Sequence, residues 1–230
     1  MKTLIIIPAY NESENIERVV NNLILNYPQY DYAIVNDGSR DNTVKICKDN
    51  GYNLIDLPVN LGLSGAFQTG MMYAFEHNYD YAIQFDGDGQ HRAEFLEELI
   101  NEAEINNIDI VIGSRFVTEK KQKSLRMMGN NLISAIIKMT TGKKINDPTS
   151  GMRLYDKTVI KEFAQNINYG PEPDTIAFLM KNGLLCKEIQ VKMDERIAGE
   201  SYLNLKASIA YMMKMCISIL LVQWVRKRGK

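Results

Sequence analysis

The chain has 230 residues, with 27 Lys or Arg against 28 Asp or Glu, a formal net charge of −1 and 45% hydrophobic residues. These proportions exclude a disordered, collagen-like or disulfide-scaffold protein, and the length suits one large domain or two small ones. The neutral total hides a split. Residues 1–115 carry 18 acidic and 7 basic side chains, and residues 116–230 carry 10 and 20. Taken alone, the total argues against a nucleic-acid or membrane partner. The split withdraws that argument, because halves of opposite charge often do different binding jobs. Cys47, Cys186 and Cys216 are far apart and form no CxxC pair, which suits a reducing compartment and gives no zinc site. Met1-Lys2-Thr3 leads into a short apolar run that ends at Pro8, which is no signal peptide. No uncharged apolar stretch reaches the roughly 18–20 residues of a membrane span.

In chain order, strand and helix alternate through the first half. Leu4 to Ile7 is a continuous apolar run, the pattern of a strand buried on both faces. Asn11 or Ser13 caps a helix to about Leu25, whose Ile16, Val19, Val20, Leu23 and Ile24 share one face. A strand from Tyr32 to Val35, a short helix from Asp41 through Lys48 and a strand from Asn53 to Leu57 follow. Then come a helix over Gly62–Glu76, a strand over Tyr81–Phe85, a helix over Glu94–Ile105 and a strand over Ile108–Ile112. Such alternation predicts right-handed crossovers and a mostly parallel sheet with helices on both faces. After Arg115 come a basic loop, a helix over Leu125–Thr140, the turn Asn146–Gly151, a strand at Arg153–Tyr155 and a helix from Asp156. A helix from Asp174 to Asn182 and a strand over Leu185–Met193 complete this half. No linker separates domains. Residues 206–230 read as a long helix with one apolar stripe (Ile209, Met212, Met213, Cys216, Ile217, Leu220, Leu221, Trp224) and a cationic end, Arg226 to Lys230.

Ligands of open α/β sheets bind beyond the carboxyl ends of the strands. Four strands here end in polar segments: Pro8-Ala9-Tyr10-Asn11-Glu12, Asn36-Asp37-Gly38-Ser39-Arg40-Asp41, Asp86-Gly87-Asp88-Gly89-Gln90-His91 and Gly113-Ser114-Arg115. Asp86 and Asp88 leave the same strand end. Two such carboxylates repel unless a cation lies between them. Hard oxygen ligands of this kind suit Mg²⁺ or Mn²⁺, ions that typically bridge to substrate phosphates, and Gln90 can add an amide oxygen. A plain acidic surface turn is the competing reading. Neither G-x-G-x-x-G nor G-x-x-x-x-G-K-[ST] is present, so phosphates must be held by metal and basic side chains. His91 reads as an exposed histidine at a helix start, although Gln90-His91 also belongs to one of the segments that carry a family resemblance.

Together with Asn60-Leu61-Gly62, Asp147-Pro148-Thr149-Ser150-Gly151-Met152-Arg153 and Arg196-Ile197-Ala198-Gly199-Glu200-Ser201, these segments resemble family 2 glycosyltransferases over about residues 3–205. The later motifs look most like the polyprenol-phosphate (dolichol-phosphate mannosyltransferase-like) branch. The resemblance implies a GT-A fold, a donor half (1–115) and an acceptor half (116–205). It also implies inverting transfer of a sugar from a UDP- or GDP-linked donor. Carried over to this chain, Pro8, Tyr10 and Glu12 would line the base pocket, and Asp37 would contact base or ribose. Asp86 would face ribose, sugar and metal, with Asp88 and Gln90 as further metal ligands. Arg115 and Arg153 would lie near the sugar or phosphates. Arg196 and Ser201 would close over phosphates or acceptor.

An acceptor hydroxyl would require a carboxylate base, whereas an acceptor phosphate is already anionic. Asp174 and Glu172 stand where many family 2 enzymes carry that base, and Asp174 equally fits a helix cap. Asp147 fits either a sugar or acceptor contact or an Asx-turn. Tyr202 follows Ser201 where the polyprenol branch often has lysine, which keeps a lipid-linked saccharide or cell-surface glycan open beside polyprenyl phosphate. A sugar-phosphate nucleotidyltransferase usually has Gly and basic residues in its first loop, and Pro8–Ser13 has neither. A non-catalytic sugar-nucleotide binder is disfavoured by the intact Asp86, Asp88, Arg115 and Arg196. The terminal helix has three readings: packing on the domain, homodimerisation, or lying on an anionic membrane at the inner face of the cell membrane. No nucleic-acid partner is expected.

Overall fold

In the computed structural model, which describes residues 1–121, 124–166, 170–194, 205–222 and 226, the isoleucine run forms β1 (Thr3–Ala9). Its alternation divides the interior. Leu4 and Ile6 enter one hydrophobic core and Ile5 and Ile7 the other, as the two-residue period of a strand covered on both faces requires. β1 pairs in parallel with β2 (Asp31–Asn36) and β4 (Tyr81–Gln84), and β2 pairs with β3 (Leu54–Asp56). The connecting helices are α1 (Ile16–Asn26), α2 (Thr43–Asp49) and α3 (Gly62–Glu76).

β5 (Ile110–Ser114), reached through α4 (Leu96–Asn106), does not lie beside β4. The seven-stranded order is β3-β2-β1-β4-β6-β5-β7, with β6 (Arg153–Asp156) antiparallel to both β4 and β5. A consequence follows for the site. Because β6 runs the other way, its beginning lies at the edge where β1, β2, β4 and β5 end, and Arg153 registers with Gln84 and Ile112. The Asn146–Gly151 turn is thereby delivered to the same edge. β7 (Cys186–Gln190) is parallel to β5 and also ends there.

The helices of the second half start where side chains cap them. Ser124 accepts from the Met127 amide at the head of α5 (Leu125–Thr141), and Asp156 accepts from that of Val159 at α6 (Lys157–Gln165). α7 (Pro173–Lys181) begins with Glu172 at the cap position and Pro173 in its first turn, so Asp174 is not the cap. α1 likewise starts later than its sequence suggests. Asn11 adopts a positive φ of 56°, and the Asn11 and Ser13 amides donate to Ser39 and Asp41 of the neighbouring loop instead of entering the helix.

α8 (Leu205–Ile217) continues as a π-helical turn over Ser218–Val222. It packs on α5 and α7, burying Met215 and Ile219 in the same core as β1 and α3. The stripe read from the sequence is split by this contact, with Met212, Cys216 and Leu220 packed against the core. Met213, Ile217 and Leu221 are exposed, Met212, Cys216 and Leu220 are half-buried, and Trp224 and the tail from Lys227 lie outside the described residues. Among the described residues no helix is long and apolar enough to cross a membrane.

Candidate active site

Three strand-end loops interlock at the carboxyl edge. The Asp37 amide donates to Ala9 O at 2.8 Å, and the Asp37 carboxylate accepts from the Leu61 amide at 2.6 Å. Gly38 makes this closeness possible. Its φ is +66°, and a Cβ there would stand 2.8 Å from the Asn60 amide nitrogen, a conformation and a gap that suit only glycine. Thr43 Oγ1 accepts from the Glu12 amide at 2.9 Å, and Asn15 donates to the Glu12 carboxylate at 2.9 Å. Burial raises the Asp41 carboxyl, but hydrogen bonds from Thr43 and Ser13 outweigh it and hold the group below the ordinary aspartate value.

Between these loops lies a cleft of about 490 Å³, lined by Pro8, Ala9, Tyr10, Glu12, Asp37, Asn60, Gly62, Leu63, Ala66, Asp86, Gly87 and Asp88. That volume lies within the range of small-ligand sites. Six of the residues expected around a donor therefore share one wall: Pro8, Tyr10, Glu12, Asp37, Asp86 and Asp88.

The β4 end turns sharply. Asp88 Oδ1 accepts from the Gln90 amide at 3.0 Å, and Gln84 Nε2 donates to Asp86 Oδ1 at 3.3 Å. The Gln90 side-chain amide nitrogen donates to Asp194 O at 3.3 Å, which leaves its carbonyl oxygen for another ligand. Arg92 pairs with Asp194 at 2.6 Å, so the residues just before Arg196 are tied to this turn. Among the described residues no group of three or more His, Cys, Asp or Glu could hold a metal ion. Two carboxylates and one amide oxygen fit Mg²⁺ or Mn²⁺ only if substrate phosphates complete the shell, the usual mode for these hard ions.

His91 was read from the sequence as exposed. It is buried, with Nδ1 accepting from the Asp86 amide at 2.9 Å. A histidine five residues beyond Asp86 carries no periodic signal, which is why sequence reasoning placed it on the surface.

Beyond β5, Asp147 is 0% exposed and accepts from Arg115 Nε at 2.7 Å, Arg115 Nη2 at 2.9 Å and Asn130 Nδ2 at 3.0 Å. Burial raises its carboxyl, but Arg115 and Asn130 outweigh that and hold it below the ordinary value. Glu188 accepts from the amides of Asn146 and Asp147, both at 2.7 Å. Lys121 donates to Asn130 and Asn131, and its ammonium and the Arg115 guanidinium both lie over the Phe116 ring. Arg153 stands apart from the cleft lining. It is 1% exposed and its guanidinium donates to Pro148 O and Pro171 O, both at 2.7 Å, so it braces two loops and does not line the cleft.

Glu172 and Asp174 also have partners, neither of which the sequence singled out. Tyr211 donates to Glu172, and Ser218 donates to Asp174 at 2.5 Å. Burial first, then the negative charge of Glu172, raises the Tyr211 phenol. Arg196 and Ser201 lie outside the described residues.

With this geometry in hand, the chain can be set beside known proteins. The profile of glycosyl transferase family 2 matches residues 4–163. The UDP-N-acetylglucosamine–dolichyl-phosphate N-acetylglucosaminyltransferase of Methanococcus voltae is 32% identical over 211 residues, covering 82% of this chain and 84% of that protein. The undecaprenyl-phosphate mannosyltransferase of Micrococcus luteus is 28% identical over 216 residues, covering 89% and 88%. Among solved structures, glucosyl-3-phosphoglycerate synthase of Mycobacterium tuberculosis, in complex with Mn²⁺, UDP and glucosyl-3-phosphoglycerate, superposes with a TM-score of 0.67 at 14% identity. That match covers 99% of this chain and 81% of the synthase, and it shows a shared fold.

Proposed function

The chain belongs to glycosyl transferase family 2, and on that premise we propose that it moves a sugar, with inversion, from a UDP- or GDP-linked donor to the phosphate of a polyprenyl lipid. The observation that supports the acceptor half of this reading is the engagement of the candidate bases, complete only at Asp147. Asp147 is buried against Arg115, Glu172 accepts from Tyr211 and Asp174 accepts from Ser218. A hydroxyl acceptor needs a carboxylate with an open lone pair facing it, which burial against Arg115 denies to Asp147 but one hydrogen bond does not deny to Glu172 or Asp174; a phosphate acceptor needs none. The names of the M. voltae and M. luteus relatives support the same acceptor class.

For the donor, Pro8, Tyr10, Glu12 and Asp37 would hold the base and ribose, with Asp86, Asp88 and Gln90 on the side of the diphosphate. A divalent cation bound there supplies positive charge to the departing diphosphate. Asp86 orients the sugar. Arg115, three-quarters buried yet at the mouth of β5, and Lys121 give the acceptor phosphate a cationic approach. Arg196 and Ser201 would close over the phosphates.

A lipid acceptor fits the exposed surface. Met213, Ile217 and Leu221 on α8, and Met128, Leu132 and Met139 on α5, are each more than half exposed on two helices packed together. Lys138, Lys143 and Lys144 are exposed at the end of α5. Apolar side chains with lysines beside them suit the interface of an anionic bilayer.

The donor half is tested by titrating labelled UDP- and GDP-sugars with and without Mn²⁺. Donor-dependent turnover that is lost in chelator and in Asp88→Asn is expected. Full turnover in chelator would contradict the metal assignment.

A further inference from the structure

We infer that His91 is a positioning residue that fixes the Asp86 carboxylate in the donor site. The inference rests on the donor reading above. A single imidazole touches both ends of Asp86: Nδ1 accepts from the Asp86 amide at 2.9 Å, and Nε2 lies 3.5 Å from Asp86 Oδ2. The amide bond places the lone pair on Nδ1, so the neutral ring carries its proton on Nε2, facing the carboxylate. The ring itself is seated. Its side chain is 3% exposed, Phe85 meets it edge-on with centroids 5.4 Å apart, and its backbone bridges to Met193.

Gly151 closes the other side of the slot. A Cβ there would lie 2.5 Å from Asp86 Oδ2 and 3.1 Å from His91 Cε1. Neither of those atoms is the loose end of a long side chain. The acceptor-side turn that opposes Asp86 is therefore glycine where the carboxylate needs room. The two acidic residues of the turn are held differently. Asp88 is anchored by the amide of Gln90 in its own turn. Asp86 is anchored at its amide by a side chain from beyond that turn, and its carboxylate lies between Gln84 Nε2, 3.3 Å from Oδ1, and His91 Nε2, 3.5 Å from Oδ2.

Partners that orient a ligating carboxylate typically change metal affinity or activity about 10- to 100-fold when removed. The test compares His91→Ala, His91→Asn and His91→Gln. Asn can keep an acceptor near Nδ1 and Gln a donor near Nε2, so each restores one contact. Two readouts are needed: the split of kcat and KM for the donor, and Mn²⁺ binding with UDP or GDP present, followed by electron paramagnetic resonance. Expected is a loss of about 10- to 100-fold in kcat/KM and weaker Mn²⁺ binding in the alanine variant, with partial recovery in Asn and Gln. If the alanine variant does not fold, the asparagine variant decides, since it keeps the amide contact but not the one to the carboxylate and should stay below the wild type in both readouts. Variants matching the wild type in both readouts would overturn the role of His91. A wild type that neither turns over a nucleotide sugar nor binds Mn²⁺ with a nucleoside diphosphate would instead overturn the donor reading.

Discussion

Replacing Asp147 by asparagine separates a structural carboxylate from a chemical one. The wild-type carboxylate is fully buried and accepts five hydrogen bonds: Arg115 Nε at 2.7 Å, Arg115 Nη2 at 2.9 Å, the Arg115 amide at 3.2 Å, Asn130 Nδ2 at 3.0 Å and Thr149 Oγ1 at 3.4 Å. Asparagine is isosteric but keeps one acceptor oxygen and turns an NH₂ toward a donor. Removing one partner of a buried ion pair costs about 3–5 kcal/mol. The Arg115 side chain is 23% exposed and can recover some water, so the lower end applies, about 3 kcal/mol. For a chain of this length that corresponds to a fall in Tm of roughly 6–12 °C. Urea unfolding should show a lower midpoint with an unchanged m-value. Turnover of the folded variant should stay within about tenfold of the wild type, because loss of a general base costs about 10²–10⁴. Unchanged stability with kcat reduced more than a hundredfold would refute the structural assignment and make Asp147 a participant in the chemistry.

Other consequences can be checked independently. Asp147 and Asp41 have carboxyls held below the ordinary value of 3.8. Their contribution to stability is therefore complete above that pH and is lost as pH falls below 3.8 through the folded values. Acid titration of Asp147→Asn should show a shallower decline in that window than the wild type, and parallel curves would contradict it. Gly38→Ala adds a Cβ 2.8 Å from backbone at a φ of +66° and should destabilise by about 2 kcal/mol while weakening donor binding. An unaffected midpoint would show that the loops are not locked there. Tyr211→Phe should lower stability by about 1–2 kcal/mol and leave the pH–rate profile unchanged, whereas a shifted ionisation would reveal Glu172 as a base. Ile217→Glu on the exposed side of α8 should abolish co-flotation with anionic vesicles. Retained flotation would move the contact elsewhere.

The fold was readable where burial on both faces leaves a continuous apolar run, as in β1, or where one helix face is periodic, as in α1. The insertion of β6 between β4 and β5 was not readable. Pairing between distant strands depends on which edges meet in space, and a four-residue strand carries no record of its neighbours. The cleft wall was legible because loops at the ends of parallel strands converge on one edge: Tyr10, Asp37, Asp86 and Asp88 needed only the topology rule to be brought together. The carbonyl partners of Arg153, Pro148 and Pro171, were not legible, because they come from loops that meet only in the folded chain. Tyr211 and Ser218 act through contacts across the fold, and neither stands at a spacing that marks it, whereas His91 folds back on Asp86 five residues before it. The stripe on α8 showed a helix with more apolar surface than one contact can bury, but not which part is covered. Met215 and Ile219 fill the core, and Met213, Ile217 and Leu221 remain outside.

The most direct measurement supplies polyprenyl monophosphate and the matching free polyprenol, in separate mixed micelles, to the purified protein with Mn²⁺ and each of a set of UDP- and GDP-sugars. Sugar should appear on the phosphate and not on the alcohol, with one donor preferred and with turnover insensitive to Glu172→Gln beyond its effect on stability. Transfer to a hydroxyl acceptor that Glu172→Gln abolishes, with the lipid phosphate left unglycosylated, would contradict the account.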